Sequence, residues 1–356
     1  MSDTEADVLI RVHGRWGHIT LNRPRALNAL TYPMCCAIDD TLAAWASDDA
    51  IIGVLIDGAG ERGFCAGGDI RALYEAARAG DVDPAAIFFA REYRLNARIA
   101  RFPKPYVALM DGITMGGGVG LSAHGLHRVA TERTTLAMPE VGIGFILDIG
   151  GTFLLGRAPD ELGTHAALTA MRMSGADAIA IGLADHYVPS NQLADLRTAL
   201  LAADSTDAIA MILLKAAHEP PPSALAAARD WVTPCYLHDS VEAILAALDA
   251  CRIDAAREAA ATIRAQSPTS IKLTLRALRA ARRLGVLESC LDQEYRIALR
   301  CVRGHDFIEG VRAAVVDKDR NPRWLPATLE AVNDASLDTY FASLGAAELG
   351  LTTTGL

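Results

Sequence analysis

Residues 51–73 read IIGVLIDGAGERGFCAGGDIRAL, and residues 105–122 read PYVALMDGITMGGGVGLS. Each stretch opens on an unbroken apolar run, IIGVLI at 51–56 and PYVALM at 105–110, as a strand covered on both faces requires. A glycine-rich loop follows each run, and each loop leads into a helical pattern. Strand, loop and helix in that order, twice over, predict an α/β protein with crossover connections.

The flanking sequence fits this reading. VLIRVHGRWGHITLN at 8–22 alternates as a β-hairpin does, with Gly14 and Gly17 near its bend, until Arg23-Pro24 breaks the run. Thr31 is placed to cap a helix whose Met34, Ile38, Leu42 and Trp45 recur on one face. Pro84 to Ala100 reads as a further helix, with the proline in its first turn. Beyond about residue 190 the chain turns to Ala-rich helical stretches broken at Glu219-Pro220-Pro221-Pro222. There Leu287, Leu291, Tyr295, Ala298 and Val302 line one helix face that Gly304 ends. The expected organisation is an α/β core over residues 1–190 with a helical region over 191–356 packed on it.

Composition narrows the functions. The 356 residues are 51% hydrophobic, yet no apolar stretch approaches the ~20 residues that cross a bilayer. The balance of 34 Lys plus Arg against 43 Asp plus Glu, a net charge of −9, lacks the basic field that nucleic acid requires. Neither membrane nor nucleic acid is an expected partner. The seven cysteines, Cys35, Cys36, Cys65, Cys235, Cys251, Cys290 and Cys301, include no C-x-x-C pair and read as reduced thiols. The opening MSDTEADVLI is acidic and resembles neither a signal sequence nor an Arg-rich transit peptide, so a cytoplasmic location is expected.

Gly58-Ala59-Gly60-Glu61-Arg62-Gly63 fits G-x-G-x-x-G after a strand, but Phe64-Cys65-Ala66-Gly67-Gly68 follows it where a dinucleotide site starts a helix. The glycines make better sense as bare backbone close to a ligand. Gly67-Gly68 precede a helix start at Asp69, and Gly116-Gly117-Gly118 precede another at Val119. Two amides from such bends can form an oxyanion hole; tight turns with close packing explain the same spacing. Glu140 and Asp148 are the only charges between Leu136 and Leu155. Acids without a cationic partner in apolar surroundings acquire raised pKa values suited to acid or base work near neutral pH. His124 and His127 could share a helix face but have no metal-ligand companions, and Cys65 reads as loop packing.

LNRPRALNAL (21–30), GAGERGFCAGGDI (58–70), KPYVALMDGITMGGGVGLS (104–122) and MPEVGIGF (138–145) together resemble the crotonase, or enoyl-CoA hydratase/isomerase, superfamily. The resemblance implies a spiral of β-β-α units with a helical C-terminal region, and an acyl-CoA thioester whose oxygen is held by two amides, here matched by Gly68 and Gly117. Ala66 and Asp69, flanking the first of these bends, are implied in substrate binding, as is Arg25, which matches a basic residue near the CoA phosphates. Hydratases of the family carry a glutamate three residues after the second oxyanion glycine, where this chain has Gly120; only their second carboxylate is matched, by Glu140.

Asp148 matches an acid of the 3-hydroxyisobutyryl-CoA hydrolases, although Leu147 replaces the proline usual before it. SPTSIKLTLRAL (267–278) and EYRIALRCVRGHDFIEGVRAAVVDKDRNPRW (294–324) also look like that subfamily. Glu92 matches a glutamate that takes the substrate's 3-hydroxyl or holds water. The activity implied is hydrolysis of 3-hydroxyisobutyryl-CoA, or of 3-hydroxypropionyl-CoA, to hydroxy acid and CoA in valine breakdown. Isomerase or hydratase chemistry on another acyl-CoA is the alternative, and a noncatalytic acyl-CoA-binding protein a third reading. No metal or redox cofactor is expected, since CoA is part of the substrate. Self-association into a homo-oligomer is left open.

Overall fold

The computed structural model describes residues 6–352, so MSDTE, the first half of the acidic opening, lies outside the described residues. The chain forms two compact units, each built from separated stretches. One comprises the described part of Met1–Gly68 with Arg94–Leu136 and Met173–Ala224; the other comprises Asp69–Tyr93, Ala137–Arg172 and the described part of Leu225–Leu356. These are not the segments 1–190 and 191–356 that were expected. Packing explains the difference: helices Leu193–Leu201 and Thr206–Ala216 bury Leu196, Leu200, Ile209 and Leu213 against Trp16, Leu55, Val107 and Val129, and so complete the first unit.

The first unit carries the strands. In chain order they are β1 (Val8–His13), β2 (Trp16–Leu21), β3 (Gly53–Gly58), β4 (Gly63–Cys65), β5 (Tyr106–Met110), β6 (Ile113–Met115), β7 (His127–Ala130), β8 (Thr135–Ala137), β9 (Met173–Ser174) and β10 (His186–Tyr187). The larger sheet runs β1-β2-β3-β5-β7-β10 and the smaller β4-β6-β8-β9. β1 and β2 are the antiparallel hairpin that the alternation predicts, while β2, β3, β5, β7 and β10 are mutually parallel. Every residue of β5 is buried, which is why that segment is apolar throughout.

The β-β-α repeat is visible strand by strand. β3 lies in the large sheet and β4 in the small one; β5 and β6 repeat the step and lead into helix Gly117–Ser122; β7 and β8 repeat it again and lead into the short 3-10 helix Glu140–Ile143. The decoy motif is resolved here, because Gly58 ends one strand and Gly63 begins another, with no helix start between them. His127 lies in β7 rather than on a helix with His124, since the helix before it ends at Ser122.

The second unit is helical. Leu162–Thr169, Arg229–Tyr236, Pro268–Leu284 and Leu287–Val302 are its main pieces, and the last matches the face read from Leu287 to Val302. A cluster around Glu161 fastens it: Arg282 and Arg279 donate to the Glu161 carboxylate at 2.6 and 2.9 Å, and Arg279 also donates to the Tyr236 carbonyl at 2.6 Å. Burial raises the Glu161 carboxyl, but its bonds from Arg282, Thr164 and Arg279 outweigh that and hold it at about 2. Among the described residues no helix is long and apolar enough to cross a membrane.

Candidate active site

In the first unit the first glycine bend is held by a neighbouring loop. Asn28, fully buried with φ +56°, donates to the Ala59 and Gly63 carbonyls at 3.0 Å each and accepts from Arg23 N–H at 2.9 Å. Ala66 N–H reaches the Leu27 carbonyl at 3.0 Å, and Leu30 N–H reaches that of Gly67 at 2.8 Å. The LNRPRALNAL stretch is therefore a strap across the GFCAGG loop. Gly67 has φ +103°, and a methyl group added there would sit 3.5 Å from Gly117 N; one added at Gly118 would lie 2.4 Å from the Cys65 carbonyl oxygen. Both bends must be bare for the backbones to come this close. Gly117 is the first residue of its helix, so its N–H has no acceptor within that helix. Arg25 lies exposed in the turn Pro24–Ala26.

In the second unit four carboxylates are buried near one another. Glu140 opens the 3-10 helix Glu140–Ile143, whose next residue, Gly144, has φ +69° and could carry no side chain without meeting the Asp306 carbonyl. Asp148 follows in an irregular stretch, where Leu147 is buried and packs beside Gly151. Glu92 and Tyr93 lie side by side on helix Asp83–Ala100, and Glu294 lies on helix Leu287–Val302. The Tyr93 hydroxyl donates to Asp148 Oδ2 at 2.7 Å. Phe89 stacks on Tyr93 and on Phe145, with ring centres 5.9 and 5.5 Å apart, so aromatic rings line the region.

The electrostatics follow from that burial. Glu92 and Glu140 are 2% and 6% exposed. Desolvation pushes both carboxyls well above the ordinary value, and the Asp148 charge pushes them further. Desolvation also lifts Asp148 to about 7, against the pull of the Tyr93 bond. Glu294 rises to about 8 although Thr152 and Gly150 donate to it. Glu161, also buried, has two guanidinium partners instead of neighbouring acids. Glu92 Oε1 and Glu140 Oε2 are buried without a hydrogen-bond partner among the described residues. Such atoms are costly unless a ligand meets them.

Of the residues expected from sequence, Gly68 and Gly117 fall in the first unit with Ala66 and Arg25, and Glu92, Glu140 and Asp148 fall in the second with Asp69. Three residues went unread. Asn28 lay inside a quoted motif with no role given to it. Tyr93 adjoins Glu92. Glu294 carried a usable signal, because it sits three residues after Leu291 and four before Ala298, on the apolar stripe of its helix.

A family model for enoyl-CoA hydratase/isomerase matches residues 16–341. A relative named 3-hydroxyisobutyryl-CoA hydrolase, mitochondrial, from Gallus gallus is 43% identical over 98% of this chain and 92% of its own; the Homo sapiens protein of that name is also 43% identical, with the same coverage. Among solved structures, one described as a carnitinyl-CoA dehydratase from Mycobacterium thermoresistibile has a TM-score of 0.93 at 50% identity, covering 98% of this chain and all of that one. Another, described as an enoyl-CoA hydratase from Rhodobacter sphaeroides 2.4.1, has a TM-score of 0.88 at 42% identity, covering 97% and 99%. The expectation of a cytoplasmic location is overturned by the relatives, whose names place them in mitochondria. The seven cysteines are free thiols. With an α/β fold of repeated β-β-α steps, a match over most of its length and full-length relatives at this identity, the chain belongs to the enoyl-CoA hydratase/isomerase family.

Proposed function

We propose that this protein hydrolyses the thioester of 3-hydroxyisobutyryl-CoA, releasing CoA and the hydroxy acid, and that it serves valine breakdown. The observation that carries the reading is the pair of buried, unpartnered carboxylate oxygens on Glu92 and Glu140 beside Asp148. The names of the full-length relatives support the substrate. Gly120, buried in helix Gly117–Ser122 where hydratases place a glutamate, argues against water addition to a double bond.

Hydrolysis needs donors for the carbonyl oxygen and acids at the carbonyl carbon. The amides of Gly68 and Gly117 supply the first. Glu140 supplies the second, either by attacking the carbon to give an anhydride or by taking the proton of an attacking water. Collapse of the tetrahedral adduct breaks the C–S bond, leaving either the anhydride, which a water then hydrolyses to regenerate Glu140, or the free acid directly; Asp148, whose ionisation falls near neutrality, gives the departing thiolate its proton or holds the water. Glu92 accepts the 3-hydroxyl of the acyl chain. Ala66 and Asp69 flank the bound thioester, and Arg25 meets the CoA phosphates. No step calls for a metal or redox cofactor.

The descriptions of the two solved relatives favour a second reading, proton transfer at the α-carbon with Glu140 as the shuttle. Incubation of the purified protein with 3-hydroxyisobutyryl-CoA and a thiol-reactive dye decides between them. Free CoA at a rate that Glu140→Gln abolishes supports hydrolysis; consumption of the thioester without thiol release supports the second reading.

A further inference from the structure

Asp148 is the acid whose placement the sequence explains least, because the backbone around it is held in an unfavourable shape. Ile149 has φ +54° and Gly150 φ +78°, two successive left-handed residues. A β-branched residue rarely adopts that conformation, and it persists only where surrounding groups over-determine it. The group that does so is Glu294. Its Oε2 accepts from Gly150 N–H at 2.7 Å, its Oε1 accepts from Thr152 N–H at 3.0 Å, and the Thr152 hydroxyl makes a further short bond to Oε1. These donors lie two and four residues after Asp148. Glu294 is fully buried, on a helix that also buries Glu288, Asp292 and Gln293, and an acid is retained at such a position only with donors that satisfy it. The Gly151 N–H closes the turn on the Asp148 carbonyl at 2.6 Å. At the other end of Asp148, Tyr93 holds the carboxylate, and the Tyr93 ring meets that of Tyr295, the neighbour of Glu294, edge-on at 6.1 Å.

We propose that Glu294 is a positioning residue: it clamps the strained turn Asp148–Ile149–Gly150 and thereby keeps the Asp148 carboxylate against the Tyr93 hydroxyl. Glu294 touches no reacting atom; it acts through Asp148. The inference deepens the hydrolase reading and rests on it for its kinetic arm. Glutamine at 294 keeps the length and one oxygen, but turns an NH2 group toward a backbone N–H, so one side of the clamp is lost. A shift of about 1 Å in a reacting group costs up to roughly a hundredfold in rate.

The test compares wild type, Glu294→Gln, Thr152→Val and Thr152→Ser. In CoA release, Glu294→Gln lowers kcat at least about tenfold with KM within about threefold, Thr152→Val lowers kcat less, and Thr152→Ser recovers most of that loss. A crystal structure of Glu294→Gln shows the turn relaxed and Asp148 parted from Tyr93. A folded Glu294→Gln protein with kcat within twofold of wild type overturns the inference, and so does one in which the turn and the Tyr93 bond are unchanged. If Glu294→Gln does not fold, the threonine pair decides: unchanged kcat in Thr152→Val, or no difference between valine and serine, overturns it. A wild-type protein that releases no CoA sinks the hydrolase reading instead, and the position of Asp148 in the variant structures still decides this one.

Discussion

The Tyr93 hydroxyl donates to Asp148 Oδ2 at 2.7 Å, a bond by which a neutral side chain stabilises the charged form of an acid whose pKa burial raises. Removing it in Tyr93→Phe takes away the pull toward lower pKa. The limb of the pH-rate profile that follows Asp148, near 7 in the wild type, therefore moves to higher pH, whether the protonated or the ionised form is the active one. A limb that stays in place or moves down would show that Tyr93 does not set this ionisation.

Glu140→Gln is expected to lower CoA release by about a hundredfold or more, since positioned acid–base groups contribute roughly 10² to 10⁴. The same variant should lose no thermal stability at pH 8, because burial raises the Glu140 carboxyl and so makes it destabilising wherever the unfolded chain is ionised, and the variant removes that cost. Residual turnover above a tenth of wild type would displace Glu140 from the centre of the mechanism. Single turnover in heavy-oxygen water separates its two roles, with label in the Glu140 carboxylate expected only for the anhydride.

Stability should fall as pH rises. In the unfolded chain the acids of the cluster lose their protons near 4.5 for glutamate and 3.8 for aspartate, whereas in the fold Glu92 and Glu140 hold theirs well above that value, Asp148 to about 7 and Glu294 to about 8. Between these limits the folded form binds more protons, so the stabilisation present at low pH is lost as pH climbs through the folded values. Denaturant titrations between pH 5 and pH 8.5 measure the slope, and Glu92→Gln should flatten it. Stability that grows across this window would contradict the buried cluster.

Glu92→Ala should discriminate among substrates. Its effect on kcat/KM is expected to be at least about tenfold larger for 3-hydroxyisobutyryl-CoA than for isobutyryl-CoA, which offers no hydroxyl. Equal losses with the two thioesters would remove Glu92 from hydroxyl recognition.

Gly118→Ala places a methyl group 2.4 Å from the Cys65 carbonyl oxygen and must push the two glycine bends apart. Loss of one oxyanion donor costs about 10² to 10³ in kcat. A folded Gly118→Ala protein with turnover near wild type would show that the spacing of the bends is not what the reaction uses.

The larger features were legible because their signals are local. Apolar runs marked β3 and β5, and Thr31 marked its helix, where its side chain accepts from Met34 N–H. Glu140 and Asp148 could be picked out because an acid in a long uncharged stretch is expensive to bury. What joins them was not legible. The link of Glu294 to Gly150 spans 144 residues, and nothing in either neighbourhood names the other. Helix content does not mark a domain boundary at residue 190, because helices after it are the cover of a sheet before it.

The indole N–H of Trp16 donates to the Ala203 carbonyl at 3.2 Å, a partner 187 residues further along. At about 5 to 20 residues per second, a ribosome that has made the tryptophan needs roughly 10 to 40 s to reach that carbonyl. Throughout that interval the hairpin at the start of the chain has no finished surface to close on. Newborn copies of this enzyme thus pass a long, sticky adolescence, and cells that make it in quantity should depend on chaperones that shelter its first strands.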